Sequence, residues 1–425
     1  MSAPDTTPNR ALGCPVGRES GPVPLSGARF HTEPEQLYRE MRQEHGPVLA
    51  VELAGGVPAW LVIGYNELHQ VTSDPELFPR DVARWNQWPN IPEDWPLLPM
   101  VGRPMPSIYF TAGAEHRRHL RMVEPALEAV DPFGLRRVCE ELADRLIDAF
   151  CGRGEAELVA EFAEPLPVLA LGSVLGVAER DGPEFAWTMK TLCDGGPDAQ
   201  QAYERFAEQM RNLVAEKKAH RGDDLVSRMM ADPASFTDQE YALDLMAIMA
   251  AGYLPTADWL GNSVRLMLTD DRFASALGGG RHSIGQAMNE VLWEDTPTQI
   301  LAGRWAARDT RLGSKVIRAG DMVLLGLAAA NADPHVRQHL GEGVDPAHSG
   351  NSAHFAFSYG EYRCPFPAQQ IAEIIARTGI EVLLDRLPDL DLALPPRNLS
   401  RRPSSFLRGM TSLPITFTPV RAVGG

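Results

Sequence analysis

A mainly α-helical fold with small peripheral β-sheets is predicted by three observations. Apolar residues recur at helical spacing over most of the 425-residue chain, strand signals are short and sit near its ends, and no composition shift marks a domain boundary. A single domain over 1–425 follows, with residues 1–25 as a flexible N-terminal segment.

The opening "MSAPDTTPNRALGCPVGRESGPVP" is polar and proline-rich, without the apolar centre of a secretory signal, which predicts a cytoplasmic protein. "GPVLAVEL" and "GVPAWLVIG" (46–64) then read as a β-hairpin. In "DVARWNQWPNIPEDWPLLPM" (81–100), Trp85, Trp88 and Trp95 are separated by prolines and follow neither period, as in a loop that carries binding. The tryptophans serve equally well to pin such a loop. "FGLRRVCEELADRLIDAF" (133–150) and "AYERFAEQMRNLVAEKKAH" (202–220) keep the 3.6-residue period of amphipathic helices. The glycine run "LGGGRHSIG" (277–285) is short enough for an inter-helix loop. "SKVIRAGDMVLLGL" (314–327) and "TSLPITFTP" (411–419) supply the remaining strands. Between them Pro365 and Pro367 open a helix whose apolar face runs through Ile371, Ile374, Ile375, Val382 and Leu383.

Composition narrows the function classes. With 44% hydrophobic and 23% charged residues, and no apolar run near the roughly 18 that a membrane span needs, neither a membrane protein nor a disordered chain is indicated. The net charge, 40 − 56 = −16, repels phosphate backbones, so nucleic acid is not an expected partner. Five cysteines (14, 139, 151, 193 and 364) in odd number and without CxxC spacing suggest neither a disulfide framework nor a zinc ribbon. Cys139 and Cys151 lie in apolar helical patterns, as small buried hydrophobes do.

Cys364 stands apart. In "HFAFSYGEYRCPFPAQQIAEIIAR" (354–377) it precedes a helix N-terminus, where the macrodipole and unpaired N–H groups favour a thiolate that binds metal or attacks an electrophile. Gly360, four residues earlier, permits a tight turn and close backbone approach to a flat ligand. On these residues alone, a merely buried cysteine is the favoured reading.

The wider pattern resembles the cytochrome P450 family. "FSYGEYRC" matches the Phe-x-x-Gly-x-x-x-Cys core of that family's haem-binding loop, and further landmarks follow its order: "MAAGYLPTADW", "NEVLWEDTP", "GRWAARDTRLGSKVIRAGDMVLLGLAAANADP" and "RGMTSLPITF". The resemblance implies the triangular-prism P450 fold and haem b (iron protoporphyrin IX). Cys364 becomes the axial iron ligand, with Phe357, Gly360 and Tyr362 shaping its loop. Phe366 stands where relatives usually carry glycine, and Tyr362 where they carry histidine or arginine. Arg304 matches a haem-propionate partner, and so does His116 in "EHRRHLRMV", although the arginine expected four residues later is Leu120. Arg121 is then the candidate substitute.

Two departures bear on chemistry. The Glu-x-x-Arg motif reads Glu290-Val-Leu-Trp293, resembling a Trp-for-Arg variant of an actinobacterial subset, so a stacking ring replaces an ion-pairing guanidinium. The family's Ala-Gly-x-Asp/Glu-Thr aligns on Ala251, Gly252, Tyr253, Leu254 and Pro255, so the proton-delivering acid and alcohol are both lost. Pro255 withholds an N–H from the Ala251 carbonyl and is expected to kink the helix. Thr256 either approaches the oxygen site or caps the freed carbonyl. Trp85, Trp88, Gly252 and Tyr253 are the expected substrate wall.

The function implied is oxidation of a small, aromatic or peptidic secondary metabolite with dioxygen and NAD(P)H electrons relayed by ferredoxin reductase and ferredoxin. Oxidative C–C or C–N coupling in a short peptide or cyclodipeptide is one alternative. A haem or ligand-binding protein with little turnover is another.

Overall fold

Helical periodicity in the sequence becomes a stack of helices against which three small sheets pack. The structure, a computed structural model, describes residues 21–25, 27–93, 95, 97–194, 198–270, 281–337 and 352–424. Residues 1–20, Cys14, the side chain of Cys193 and residues 277–280 of the glycine run lie outside the described residues. The end of the expected flexible N-terminal segment is in fact pinned. Val23–Pro24 (β1) pairs in parallel with Val51 and Glu52, and Leu25 is buried, its N–H donating to the Glu52 carbonyl at 2.8 Å.

The helices that position the site are α1 (Tyr65–Ser73), α2 (Gly113–Glu128), α3 (Pro132–Asp148), α4 (Pro165–Leu175), α5 (Ala199–Ala219), α6 (Asp238–Thr269), α7 (Arg281–Glu294) and α8 (Phe366–Arg386). Local chemistry sets their starts. Asp131 caps α3 by accepting from the N–H groups of Phe133 and Gly134, with Pro132 at the first helical position. Thr237 and Glu240 form a reciprocal capping box on α6. Pro365 and Pro367 bracket the start of α8, where a missing N–H costs nothing. The 32-residue α6 packs against α4, α5, α7 and α8, which explains why it is apolar on most sides.

Strands β2 (Val48–Leu53) and β3 (Val57–Val62) form the expected antiparallel hairpin, in register from Val48↔Val62 to Leu53↔Val57. Strand β4 (Glu155–Glu157) lies apart. The later strands are β5 (Leu301–Trp305), β6 (Thr310–Leu312), β7 (Lys315–Ile317), β8 (Met322–Leu325), β9 (Asp391–Leu392) and β10 (Pro414–Thr416). They complete one sheet of order β1-β2-β3-β8-β5, one of order β4-β10-β9, and the β6-β7 ribbon. Between Leu301 and Arg304 the β5–β8 register slips, with Gly303 at φ +104°. Such an irregularity re-aims the next side chain, which is Arg304.

Candidate functional site

A cavity of about 1650 Å³ opens between α6 and the loop before α8. Its lining includes Phe357 and Cys364 from that loop, His116 and Leu120 from α2, and Ala251, Pro255 and Thr256 from α6.

The Cys364 loop is built on backbone. Ser358 (φ 60°) and Gly360 (φ 76°) are both left-handed, and the turn closes with the Cys364 N–H donating to the Phe357 carbonyl at 3.0 Å. A Cβ on Gly360 would stand 2.0 Å from the Thr72 carbonyl oxygen of α1, so glycine is required there. This corrects one expectation. The close approach at Gly360 is to helix α1 rather than to a flat ligand, because Gly360 seats the loop from behind and does not line the cavity. Burial pushes the Cys364 thiol up to about 12, opposed by the positive charge of Arg80. The helix N-terminus alone therefore leaves a thiol here, and a thiolate needs a stronger cation in the cavity.

Positive charge collects at one side of the cavity: Arg80 lines it, and Arg304, which does not, lies against the ring of Tyr362, which does. Arg304 is 1% exposed. Its Nη1 donates to the Gly303 carbonyl at 3.2 Å, whereas Nε and Nη2 are buried without a partner. Its guanidinium carbon lies 4.6 Å from the Tyr362 ring centroid. Arg80, which carries no periodic or motif signal in the sequence, joins it. Its Nη2 donates to the Tyr362 carbonyl at 3.0 Å, its guanidinium lies over the rings of Tyr109 (4.7 Å) and Tyr362 (5.3 Å), and its Nε is unpartnered. Burial holds both guanidiniums below the usual arginine range, and the Arg80 charge lowers Arg304 further. Among the described residues no carboxylate pairs with either.

His116 completes this side, with Nδ1 3.0 Å from the Ile108 carbonyl oxygen and its ring 4.8 Å from that of Tyr362. Burial first, and the Arg80 charge second, lower it to about 4. His116 is accordingly neutral at pH 7, and offers a hydrogen bond rather than a charge. Arg121 is exposed and does not line the cavity, so it does not replace the arginine missing at Leu120. A helical rotation that would turn it inward would expose Met122 and Val123, both buried.

Two buried cations without anions, beside a thiol lining the same cavity, fit one ligand: a planar metal chelate bearing carboxylates. Iron protoporphyrin IX has that chemistry, its two propionates answering Arg80 and Arg304 and its iron answering Cys364.

On the opposite wall, α6 continues as a helix on both sides of Pro255. Thr256 is 3% exposed and lines the cavity. Ser263 and Thr269 on the same helix return their hydroxyls to carbonyls four residues back, at 2.7 and 2.9 Å. Thr256 makes no such bond among the described residues, so its hydroxyl is not spent on capping the helix. Leu254 and Tyr253 are buried beside it and, with Gly252, contribute to the lining. Gly252 also serves packing, since a Cβ there would meet Leu171 of α4 at 3.1 Å.

The expected tryptophan wall is overturned in part. Trp85 and Trp88 do not line the cavity; they stack at 5.2 Å, and Trp85 stacks on Trp95 at 5.8 Å, inside the apolar cluster under the β1-β2-β3-β8-β5 sheet. Backbone carbonyls draw two of the indoles inward, Trp88 donating to Val82 and Trp95 to Ala54, each at 2.7 Å. Trp95 alone of the three reaches the cavity. Trp293 on α7 is buried, its ring perpendicular to that of His354 at 5.7 Å, and His354 in turn neighbours Phe357 at 6.1 Å. Rings thus link α7 to the Cys364 loop.

No family model matches the chain. Cytochrome P450 107B1 of Saccharopolyspora erythraea is 30% identical over 397 residues, covering 91% of this chain and 95% of that protein. The polyketide biosynthesis cytochrome P450 PksS of Bacillus subtilis is 26% identical over 409 residues, covering 92% of this chain and 98% of its own. Among solved structures, testosterone-bound CYP154C4 from a Streptomyces species superposes with a TM-score of 0.83 at 27% identity, covering 94% of this chain and 98% of its own.

Proposed function

The chain belongs to the cytochrome P450 family of haem-dependent monooxygenases, and from that premise we propose that it inserts one oxygen atom of dioxygen into a bulky, mostly apolar secondary metabolite. In the overall reaction the other oxygen atom leaves as water, reduced by two electrons from NAD(P)H delivered through ferredoxin reductase and ferredoxin. The observation that carries the substrate class is the cavity. At about 1650 Å³ it has to hold the porphyrin as well as the substrate, and what is left suits a drug-sized organic molecule, for which pockets of roughly 300–1,000 Å³ serve. Its wall on α6 is built from Ala251, Tyr253, Leu254, Pro255 and Trp259.

Bound over Cys364, haem supplies thiolate-ligated iron for dioxygen activation. The remaining work falls to the chain. Arg80 and Arg304 orient the cofactor through its carboxylates, Phe357 and Gly360 fix the Cys364 loop, and the α6 wall excludes water. Thr256 Oγ1 is the hydroxyl that α6 presents to the cavity, one residue beyond the position where relatives carry theirs. With Leu254 in place of the acid, this hydroxyl and the Ala251 carbonyl, which Pro255 cannot satisfy, are suited to hold a proton-bearing water. For the electron donor, Arg117 on α2 binds Glu361 in the Cys364 loop at 3.1 Å, and Arg121, one turn further along, is exposed. That basic face beside the loop suits an acidic ferredoxin.

Coupling of aromatic side chains in a short peptide keeps the absent acid–alcohol relay and Trp95 in its favour, but loses the support of Trp85 and Trp88, which pack against the apolar cluster under the sheet.

Turnover with ferredoxin, reductase and NADPH should consume oxygen and NADPH in step with product on bulky apolar substrates such as macrolides or steroids, and not on cyclodipeptides. NADPH oxidation yielding hydrogen peroxide alone for every substrate of this class would overturn the reading. Thr256→Ala should lower the coupled rate about 100-fold, the scale of lost proton delivery, and divert electrons to hydrogen peroxide. Pro255→Ala separates helix shape from the hydroxyl, and should change substrate affinity more than peroxide yield.

A further inference from the structure

We propose a divalent-cation site of the zinc type, formed by Glu115 and His119 on α2 with Glu240 on α6, outside the haem cavity. One ligand atom from each lies within 4.8 Å of the other two. Glu115 and His119 are four residues apart and so share one face of α2, the spacing that lets two side chains grip one ion.

The observation that points to a metal is the state of His119. The side chain is fully buried, its Nδ1 donates to Asp244 Oδ2 at 2.6 Å, and its Nε2 has no hydrogen-bond partner. That nitrogen lies 3.5 Å from Glu115 Oε1. Arg118 Nη2 already holds that same oxygen at 2.6 Å, so the carboxylates are occupied by a guanidinium while the buried imidazole nitrogen beside them is left over. Asp244, itself held by the Ile108 N–H at 2.6 Å, fixes the tautomer from outside the cluster, as a carboxylate behind a metal-binding histidine does.

Electrostatics agree. Glu115, Glu240 and Asp244 set three carboxylates around the cluster against the one guanidinium of Arg118. Arg118 bridges Glu115 (2.6 Å) and Glu240, and stacks on Phe236 with its guanidinium carbon 4.1 Å from the ring centroid. The ring lets the arginine stay nearby when a metal takes the carboxylate oxygens. Glu115 is 47% exposed and provides the entry, whereas Glu240 is 12% exposed. Zinc bonds to N and O of about 2.0–2.2 Å place tetrahedral ligands about 3.4 Å apart, so side-chain rotation of about 1 Å closes the set around an ion. One histidine and two carboxylates, with a place left for water, is a borderline-metal donor set rather than one for calcium. A bound ion would staple the N-terminal turns of α2 and α6, the helices that carry His116 and Thr256.

The test is equilibrium dialysis of the haem-loaded full chain against zinc chloride, with metal analysis and thermal melting. Wild type should bind one zinc and melt at a higher temperature with it. His119→Ala, or His119→Gln if alanine folds poorly, should lose that binding, Asp244→Asn should weaken it about 10- to 100-fold, and Arg118→Ala should tighten it by removing the competing cation. Haem absorption should stay unchanged throughout, because none of these residues lines the haem cavity. The proposal is overturned if neither wild type nor Arg118→Ala binds zinc stoichiometrically, or if His119 variants bind as wild type does. Either result would make the cluster an ion-pair hub around Arg118.

Discussion

Replacement of Cys364 by serine is expected to abolish the red-shifted Soret band of the reduced carbon monoxide complex and, with it, all dioxygen-dependent product formation. The effect is absolute because the thiolate is the only soft anionic ligand the cavity offers: among the described cysteines, Cys139 and Cys151 are buried away from it. Burial drives the Cys364 thiol up to about 12, so at neutral pH the uncoordinated residue holds its proton. Coordination must expel that proton, and haem loading of the wild type should therefore release one proton that the serine variant does not. A serine hydroxyl is far harder to deprotonate, and any haem it retains would lack the electron push of sulfur. A variant that kept the thiolate band, or a wild type with the spectrum of a histidine-ligated globin, would remove Cys364 from the iron.

Much of this architecture was legible because it rests on local patterns. Residues 133–150 and 202–220 announce their helices by spacing, and the hairpin at 46–64 by its two apolar runs about a glycine turn. Cys364 was legible through its proline-flanked loop. What stayed hidden was decided by tertiary contact. Arg80 lies in "FPRDV", where nothing periodic distinguishes it from a solvated arginine, and only the approach of Tyr109 and Tyr362 buries it. Trp85 and Trp88 have the aperiodic, proline-broken context of a binding loop, yet carbonyls and neighbouring indoles fold them into a core. Gly360 was rightly marked as a position needing glycine, but the partner that makes it necessary, the Thr72 carbonyl, is almost three hundred residues away in sequence. The tyrosine at 362 also takes on meaning only in three dimensions: its ring is shared by both guanidiniums and by His116.

Arg304→Leu and Arg80→Leu should each weaken haem retention while raising the melting temperature of the haem-free protein. The two signs come from one cause. Without the cofactor both guanidiniums are buried and, among the described residues, faced by no carboxylate, a costly arrangement that a shorter aliphatic side chain relieves by removing the charge. With the cofactor, each arginine compensates a propionate, and its removal leaves that carboxylate buried and poorly paired. That loss typically amounts to about 3 kcal/mol, roughly a hundredfold in haem affinity, measurable as transfer to apomyoglobin. Arg304 should show the larger effect, since it is the more buried of the two and leaves both Nε and Nη2 without a partner, against Nε alone in Arg80. Arg80→Lys should recover less than half of the lost affinity, because an ammonium cannot hold the Tyr362 carbonyl, stack on Tyr109 and reach a carboxylate at once. A structural role for either arginine predicts the opposite pattern, a haem-free protein that melts lower after substitution. If that is observed, the propionates must be anchored elsewhere, and His116, neutral at pH 7, would then have to do so by hydrogen bonding alone.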